Sequence, residues 1–356
     1  MKTSYILTKL LAAVMLLTIG HCVTSCNKDD DASNTETPTV QSEVLVLFSI
    51  DGLGDGSYND QILRGIKLME NENSKGMTIR FITPTSLEDV ESACKSWWEN
   101  IDKPIDDKGT VPRRLLVLAS SDYVDIARQV FANAEMNINR CVLAFEAEDS
   151  GDETEQIRTF GISMYGASWL AGKTARELGC KHPLVLLGNG QNTTTYDARD
   201  GFVDGFGKAE DGSVAVVGAI ADDWTGYGMS TELYKKMYDY DGQYDFIYAV
   251  AGGSNMGAYR YLRENPDCGI YTAGMDTDQS AYSTLIVGSM VKRIDLVLYD
   301  HLTNWYNQKD LPRYQHYGLE SGYINWQIAD RYPQLKAGVE VNRQEAIKKE
   351  VEYGAK

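Results

Sequence analysis

Residues 44–60 read VLVLFSIDGLGDGSYND, an apolar run that leads into a glycine-rich loop. The run from Val44 to Ile50 is apolar at almost every position, which is typical of a strand buried on both faces of a parallel sheet. Glycines let the backbone that follows turn sharply, and Ser57 or Asn59 can cap a helix that begins there. The stretch therefore predicts a strand, a tight turn and a helix, in that order.

The same alternation recurs over most of the chain. Stretches with helical spacing separate the apolar runs, and strands that alternate with helices predict parallel sheets with helices on both faces. Four runs precede residues 160–163 and four follow them, so we predict an α/β protein with two doubly wound parallel-sheet lobes joined by hinge crossovers. The runs after the first are Thr78–Ile82, Leu115–Ala119, Cys141–Phe145, Leu184–Leu187, Val214–Val217, Phe246–Ala251 and Ile270–Ala273.

The length of the chain, 356 residues, also favours two lobes, because it exceeds what one hydrophobic core usually holds. We predict that residues 44–159 form an N-terminal lobe and that residues 160–273 form a C-terminal lobe. The chain is then expected to return to the first lobe near Gly274 and to cross again, so that part of residues 274–302 belongs to the N-terminal lobe. Residues 303–356 are predicted to complete the two lobes.

Residues 1–25 have the features of a lipoprotein signal peptide. Two lysines bracket a short polar start, and the apolar run Leu10–Ile19 that follows is too short to span a bilayer. The residues Val23-Thr24-Ser25-Cys26 then have the spacing that a lipoprotein signal peptidase recognises. We predict that Cys26 carries acyl chains that anchor the protein to the cell envelope. An ordinary secretory leader with an incidental cysteine is the alternative.

Residues 26–43 are polar and lack an apolar pattern that could support a core, so we predict a flexible tether. Its acidic run Lys28–Asp31 resembles an export signal for the outer-membrane surface, and a solvated charge run is the alternative. The formal net charge of −17 argues against nucleic acid or anionic lipid as a partner.

The cysteines beyond the leader are widely spaced, without the CxxC or CxxH pairs typical of zinc sites. We predict that they are free thiols and that the protein binds neither a metal nor a cofactor. They are Cys94, Cys141, Cys180 and Cys268.

Three loops follow predicted strands, at the edge where open α/β sheets hold ligands. The first is residues 49–60, and the second is the glycine-rich segment 251–257, which contains Gly252 but lacks dinucleotide-binding spacing. The third contains Asp276 and Asp278, whose carboxylates could accept hydrogen bonds from paired sugar hydroxyls. Ordinary turn chemistry is the alternative for both aspartates.

The order of these loops along the chain resembles the basic membrane protein family, the purine-nucleoside-binding lipoproteins of ABC-type uptake systems. The resemblance runs from about Val44 to Leu302. It implies a periplasmic binding protein type I fold, a small-molecule ligand and an ABC-type membrane permease as partner. Its other matching segments are Ser168–Gly172, Gly201–Phe206 and Ser289–Asp295.

The resemblance also implies roles for individual residues. An aromatic ring at the position of Tyr58 stacks on the base in this family, beside the asparagine that matches Asn59. The Asp-x-Asp loop, here Asp276 and Asp278, bonds the ribose, and the lysine that matches Lys292 reaches the ligand.

Two positions depart from the family pattern. The first aspartate of the family falls on Ser49, unless Asp51 takes its place through a shifted turn. The aromatic residue expected after the Val214 strand falls on Ile220, although Trp224 lies one helical turn away and could stack instead. The fold inference survives these departures, whereas the nucleoside inference is weakened.

We therefore predict a solute-binding lipoprotein that captures a small polyhydroxylated ligand, preferably a nucleoside, between its lobes. A sugar-binding or sensory lipoprotein of the same fold is an alternative. A hydrolase with paired carboxylates is the alternative from another class. The sequence argues against it, because no G-x-S-x-G turn occurs and the histidines His182, His301 and His316 lie outside the three loops.

Overall fold

The structure is a computed structural model that describes residues 41–50, 52–72 and 76–355. The predicted signal peptide, most of the predicted tether, Cys26 and Asp51 lie outside the described residues. The first strand begins at Ser42, inside the segment predicted as tether. It does so because Ser42 and Glu43 pair in register with two neighbouring strands.

The first sheet has six strands, all parallel, in the order β11-β5-β4-β3-β1-β2. With helices α1, α2, α3 and α8 it forms what we call the first lobe. The strands are β1 Ser42–Leu47, β2 Met77–Ile82, β3 Arg113–Leu118, β4 Arg140–Ala144, β5 Arg158–Ile162 and β11 Tyr314–Tyr317; the helices are α1 Tyr58–Glu72, α2 Leu87–Glu99, α3 Val124–Val130 and α8 Ile294–Tyr306.

The second sheet has six strands in the order β12-β10-β9-β8-β6-β7, parallel except for the β10–β12 pair. With helices α4 to α7 and α9 it forms the second lobe. The strands are β6 Pro183–Asn189, β7 Val216–Ala221, β8 Phe246–Val250, β9 Tyr271–Asp276, β10 Ile286–Lys292 and β12 Ile324–Ile328; the helices are α4 Tyr165–Glu177, α5 Tyr196–Phe206, α6 Ser230–Tyr240, α7 Asn255–Glu264 and α9 Lys336–Gly354.

The chain passes between the lobes three times within the described residues, after β5, after β10 and after β11. Phe160 lies in β5, so the first lobe extends to Ile162 rather than to residue 159. The return to the first lobe comes after Lys292 rather than near Gly274. The reason is that residues 286–292 add another strand to the second sheet, beside β9.

Helices α4 and α5 pack closely against each other beside the crossover that follows β5. A Cβ atom added at Gly205 would lie 2.0 Å from the carbonyl oxygen of Trp169, and one added at Gly201 would lie 2.3 Å from that of Tyr165. Only glycine allows the two backbones to approach this closely. The contact holds the first turn of α5 beside the backbone of Met164, where the chain enters the second lobe.

Two further findings concern the described part of the chain. No helix in it combines the length and apolarity that crossing a membrane requires. No group of three or more metal-ligating side chains comes together in it. The cysteines Cys94, Cys141, Cys180 and Cys268 are free thiols, the first three of them buried.

Candidate ligand-binding site

A cavity of about 830 Å³ lies where the strand-end loops of the two sheets meet. The first lobe contributes the loops after β1, β3 and β4, and the second lobe contributes the loops after β6, β7 and β8 and the last residues of β9. The crossover after β5, the end of β10, residues of β11 and the last residues of α9 complete the wall. Charged and aromatic residues of the wall include Asp55, Tyr58, Asp122, Glu146, Glu148, Asp197, Trp224, Tyr227, Asp276, Lys292, Tyr314, His316 and Tyr353.

The loop after β1 is held in place by its own carboxylates. The carboxylate of Asp55 accepts hydrogen bonds from the backbone N–H groups of Ser57 and Asn59, at 2.9 and 2.8 Å. The Asn59 side chain in turn exchanges two hydrogen bonds with Ser49, accepting from its N–H at 3.1 Å and donating to its Oγ at 2.8 Å. This network begins α1 and presents Tyr58 to the cavity.

Lys292, the last residue of β10, forms the centre of a buried charge cluster. Its Nζ lies 2.9 Å from Glu146 Oε1, 3.4 Å from Asp276 Oδ1 and 5.3 Å from the centre of the Tyr58 ring. Burial alone would lower the pKa of Lys292, but the two carboxylates outweigh burial and raise it, so the amine is charged. Burial and these same carboxylates raise the pKa of Tyr58, which keeps its hydroxyl neutral.

Asp276 links the two lobes across the cavity. Its Oδ2 accepts a hydrogen bond from the Ser57 hydroxyl at 2.8 Å, and its backbone carbonyl accepts one from Gln61 Nε2 at 2.7 Å. Asp276 and Glu146 both have left-handed backbones, with φ of 63° and 52°. Such conformations are costly for residues other than glycine and concentrate at functional sites. The two carboxylates that bind Lys292 are therefore held by strained strand ends, one from each lobe.

Asp197, in the first turn of α5, contributes another carboxylate to the wall. Its Oδ2 accepts the Met164 N–H at 2.6 Å, whereas its Oδ1 is buried and has no hydrogen-bond partner among the described residues. Burial raises the pKa of Asp197 to about 7, against the opposing effects of the N–H bonds and of Lys292.

Aromatic rings from the second lobe face the cavity from the loop after β7. Trp224 is 42% exposed, and its ring centre lies 5.6 Å from that of Tyr227. Gly252 has a left-handed backbone, and a Cβ atom there would lie 3.3 Å from the Tyr227 ring. Ile220 is buried within β7 and is not part of the wall.

Most of the residues predicted from the sequence line this one cavity: Ser49, Tyr58, Asn59, Trp224, Gly252, Asp276 and Lys292. Asp278 does not. It is exposed, and its carboxylate accepts a hydrogen bond from the Ser280 N–H at 3.0 Å and one from Gln327 Nε2 at 3.4 Å. The structure thus places Asp276 but not Asp278 on the cavity wall, and a ligand-binding role for Asp278 stays a prediction.

The family comparison decides what kind of protein contains this site. The family model described as Bmp, ABC transporter substrate-binding protein PnrA-like, matches residues 42–354. The chain belongs to the Bmp family. This confirms the resemblance inferred from the strand-end loops. Bmp-family proteins are exported substrate-binding proteins that deliver a small molecule to a membrane permease, so this protein is a binding protein and not a hydrolase.

Solved structures support the same fold for this Bmp-family protein. A solute-binding protein of an ABC transporter system from Aeropyrum pernix K1 superposes with a TM-score of 0.64, at 17% identity over 87% of this chain and 86% of that one. One from Conexibacter woesei DSM 14684 gives a TM-score of 0.58, at 13% identity over 87% and 97%. GanP, a glucose-galactose binding protein from Geobacillus stearothermophilus, gives 0.56, at 15% identity over 83% and 99%. The predicted fold of two α/β lobes is confirmed. No curated protein sequence matches the chain significantly.

Several residues of the cavity wall in this Bmp-family protein were not predicted from the sequence. Glu146 is the second residue after β4, so its place at a strand end was a usable signal. Asp197 gave no such signal, because an acidic residue in the first turn of a helix is commonly there for the helix dipole alone. His316, expected outside the site, lines the cavity because β11 adds to the edge of the first sheet beside β5.

Proposed function

We propose that this protein captures a nucleoside in the cavity between its lobes and delivers it to an ABC-type permease. The observation that carries the proposal is that Tyr58 of the first lobe and Asp276 and Lys292 of the second lobe meet on one cavity wall. A nucleoside combines a flat ring with a hydroxylated ring, and this wall offers a partner for each.

The aromatic residues support the flat part of such a ligand. Tyr58, Trp224 and Tyr227 line the cavity from opposite lobes. Stacking of a base on an aromatic side chain contributes roughly 1–3 kcal/mol. The cavity volume of about 830 Å³ lies within the range of small-molecule sites.

The charges support an uncharged, hydroxylated ligand. Lys292 is the one lysine or arginine in the wall formed by the described residues, and Glu146 and Asp276 already balance its charge. A phosphate group would therefore meet an excess of carboxylates without a free cation. Hydroxyl groups, in contrast, can donate to those carboxylates in charge-assisted hydrogen bonds.

A monosaccharide is the second candidate. The relative GanP is described as a glucose-galactose binding protein, and carboxylates beside aromatic rings suit a pyranose as well as a ribose. Ser49 and Ile220 depart from the nucleoside-binding pattern of the family. Monosaccharides are therefore included in the same binding test as nucleosides.

The export and anchoring part of the proposal rests on Cys26. Acylation there would place the binding protein at the cell envelope, and the polar residues 26–41 would tether it near its permease. Whether the anchor lies in the periplasm or at the outer surface depends on how the acidic run Lys28–Asp31 is recognised.

The test is a melting screen followed by calorimetry on the purified mature protein. The panel consists of adenosine, guanosine, inosine, cytidine, ribose, glucose and galactose. A ligand that binds only the native state raises its stability with ligand concentration, so at least one panel member should raise the melting temperature and give heat that saturates near one equivalent. If no panel member did either, the proposed ligand class would be wrong.

A further inference from the structure

The side chain of Asp197 is engaged through one oxygen, and its other oxygen has no hydrogen-bond partner among the described residues. It reaches from α5 to the crossover after β5, where its Oδ2 accepts the backbone N–H of Met164 at 2.6 Å. Since α5 is pressed against α4 through glycines, the carboxylate has little freedom to turn away. Asp197, which lines the cavity, is thus held in place through its Oδ2 at the crossover.

The other oxygen, Oδ1, is buried on the cavity wall without a hydrogen-bond partner among the described residues. Leaving a buried polar atom unsatisfied costs about 1–3 kcal/mol, and more for a charged group. Native structures retain few such atoms, and each one calls for a physical explanation. A donor from a bound molecule would offset this cost.

The charged neighbours of Asp197 are already engaged with other groups. Lys292 binds Glu146 and Asp276. Glu350 of α9 accepts the N–H groups of Gly166 and Leu319, at 3.0 and 2.7 Å. The tyrosines that face it, Tyr248 and Tyr353, donate or share their hydroxyls with Ser168 and Asp200.

We propose that Asp197 forms a second binding subsite on the hinge side of the cavity, which accepts a hydrogen bond from an N–H or O–H group of the captured ligand. The subsite is separate from the group formed by Tyr58, Asp276 and Lys292, and it rests on the proposed function because it belongs to the same cavity. Asp197 would select ligands that carry a donor at this point.

The ionisation of Asp197 supports the subsite with an observable signature. Burial raises the pKa of the carboxyl group to about 7, and the ionised carboxylate is the stronger acceptor. Ligand affinity should therefore rise with pH through neutrality, because the proton has to leave before the donor of the ligand binds. Lys292 and Glu350 are the other charged groups that act on Asp197, and they oppose each other: Lys292 lowers its pKa and Glu350 raises it.

The test compares Asp197→Asn with the matched control Asp204→Asn. Asp204 lies on the same helix and carries the same charge, but it is exposed, binds the Tyr165 hydroxyl at 2.7 Å and is not part of the wall. Calorimetry with adenosine, guanosine, inosine, cytidine, ribose, glucose and galactose is run between about pH 6 and about pH 8. For the members that bind, Asp197→Asn should raise Kd about tenfold or more, and the control should change it less than about twofold.

The outcomes separate the subsite from the proposed function. If the wild type bound no panel member, the proposed function and the subsite would both be overturned. If the wild type bound and Asp197→Asn kept the same Kd and the same pH slope, only the subsite would be overturned. Should Asp197→Asn fold poorly by circular dichroism, Asp197→Ser, which keeps an oxygen for Met164, is expected to show the same loss of affinity.

Discussion

The carboxylate of Asp276 makes a different contact through each of its two oxygens. One carboxylate oxygen accepts the Ser57 hydroxyl, and the other lies 3.4 Å from Lys292 Nζ. Each carboxylate oxygen has more than one lone-pair site, so a ligand hydroxyl can still be accommodated. The residue therefore joins the lobes, and in the proposed site it would also accept a ligand hydroxyl, so a change there should affect both stability and affinity.

The neighbouring aspartates allow a matched comparison. Asparagine at position 276 can adopt the left-handed backbone conformation. After this change, Glu146 is the one carboxylate among the described residues that still contacts Lys292. We expect ligand affinity to fall about tenfold or more and the free energy of unfolding to fall by about 1–3 kcal/mol. Calorimetry and urea unfolding measure the two effects. Asp278→Asn, in the exposed position, should change neither, and an equal effect of the two changes would contradict the geometry of this loop.

Asp197 should make stability depend on pH in a predictable direction. Its pKa rises from an ordinary value of 3.8 to about 7 in the folded protein, so the folded state binds the proton more tightly than the unfolded state does. The stability contributed by the protonated form is lost as pH rises through this window. Asp197→Asn should thus be more stable than the wild type by roughly 2–4 kcal/mol above about pH 7 and equal to it near about pH 4. Urea unfolding at both pH values checks this, and a constant difference would contradict it.

Most of the strands that were predicted from the sequence are apolar on both faces. Strands β1, β3, β4, β6, β8 and β9 lie inside a sheet, and their near-continuous apolar runs predict them. Strands β2 and β7 form sheet edges and are partly exposed, and short apolar runs predict them as well. The strands β5, β10, β11 and β12 were not predicted. The sequences of β5, β11 and β12, which are RTFGI, YQHY and INWQI, contain polar residues, and β11 and β12 form sheet edges. Strand β10 is mostly apolar and buried, but it lies in the segment where a return to the first lobe was predicted.

The same physical reasoning explains which site residues could be predicted. Tyr58, Asn59 and Asp276 follow strands at the carboxyl edge of a parallel sheet, a position that can be read from local pattern. The partnership of Lys292 with Glu146 joins residues far apart in the chain, and only the folded arrangement of the two lobes brings them together. Lys292 itself was named through family resemblance, and Glu146 was not predicted.

The contact between α4 and α5 should be sensitive to a single methyl group. Gly205→Ala places a Cβ atom 2.0 Å from the Trp169 carbonyl oxygen, so the helices must move apart. Overpacking of this kind costs about 1–3 kcal/mol, which thermal unfolding would register as a lower melting temperature.

Gly218→Ala in β7 is the control, since its nearest neighbours would lie at 3.7 and 3.8 Å, an ordinary contact. It should shift stability by less than about 0.5 kcal/mol. Equal effects at the two positions would show that α4 and α5 are not as closely packed as described. Because α5 carries Asp197, Gly205→Ala is also expected to weaken ligand binding.

At the scale of the whole molecule, we predict that the location of the protein in the cell depends on Cys26, the residue that follows the predicted leader. Cys26→Ala removes the acylation site, so the protein should shift from the membrane fraction to the soluble fraction when cells are lysed and fractionated. Cys268→Ala, at a half-buried thiol far from the leader in sequence, should leave the protein with the membranes. Membrane retention of the Cys26 variant would contradict the proposed anchor.

The lobes are connected by three crossovers and also meet through Ser57–Asp276, Gln61–Asp276 and Glu146–Lys292 contacts at the cavity wall. Opening the cavity has to break these contacts, and a ligand that spans both lobes would offset their loss on closing. Capture is thus a property of the two lobes acting together and not of one loop.

The most direct test is a crystal structure of the protein with whichever nucleoside or monosaccharide gives the largest melting shift. The account predicts one bound molecule that contacts Tyr58 of the first lobe and Asp276 of the second lobe at the same time. Density that lies outside this cavity, or that touches residues of one lobe alone, would contradict it.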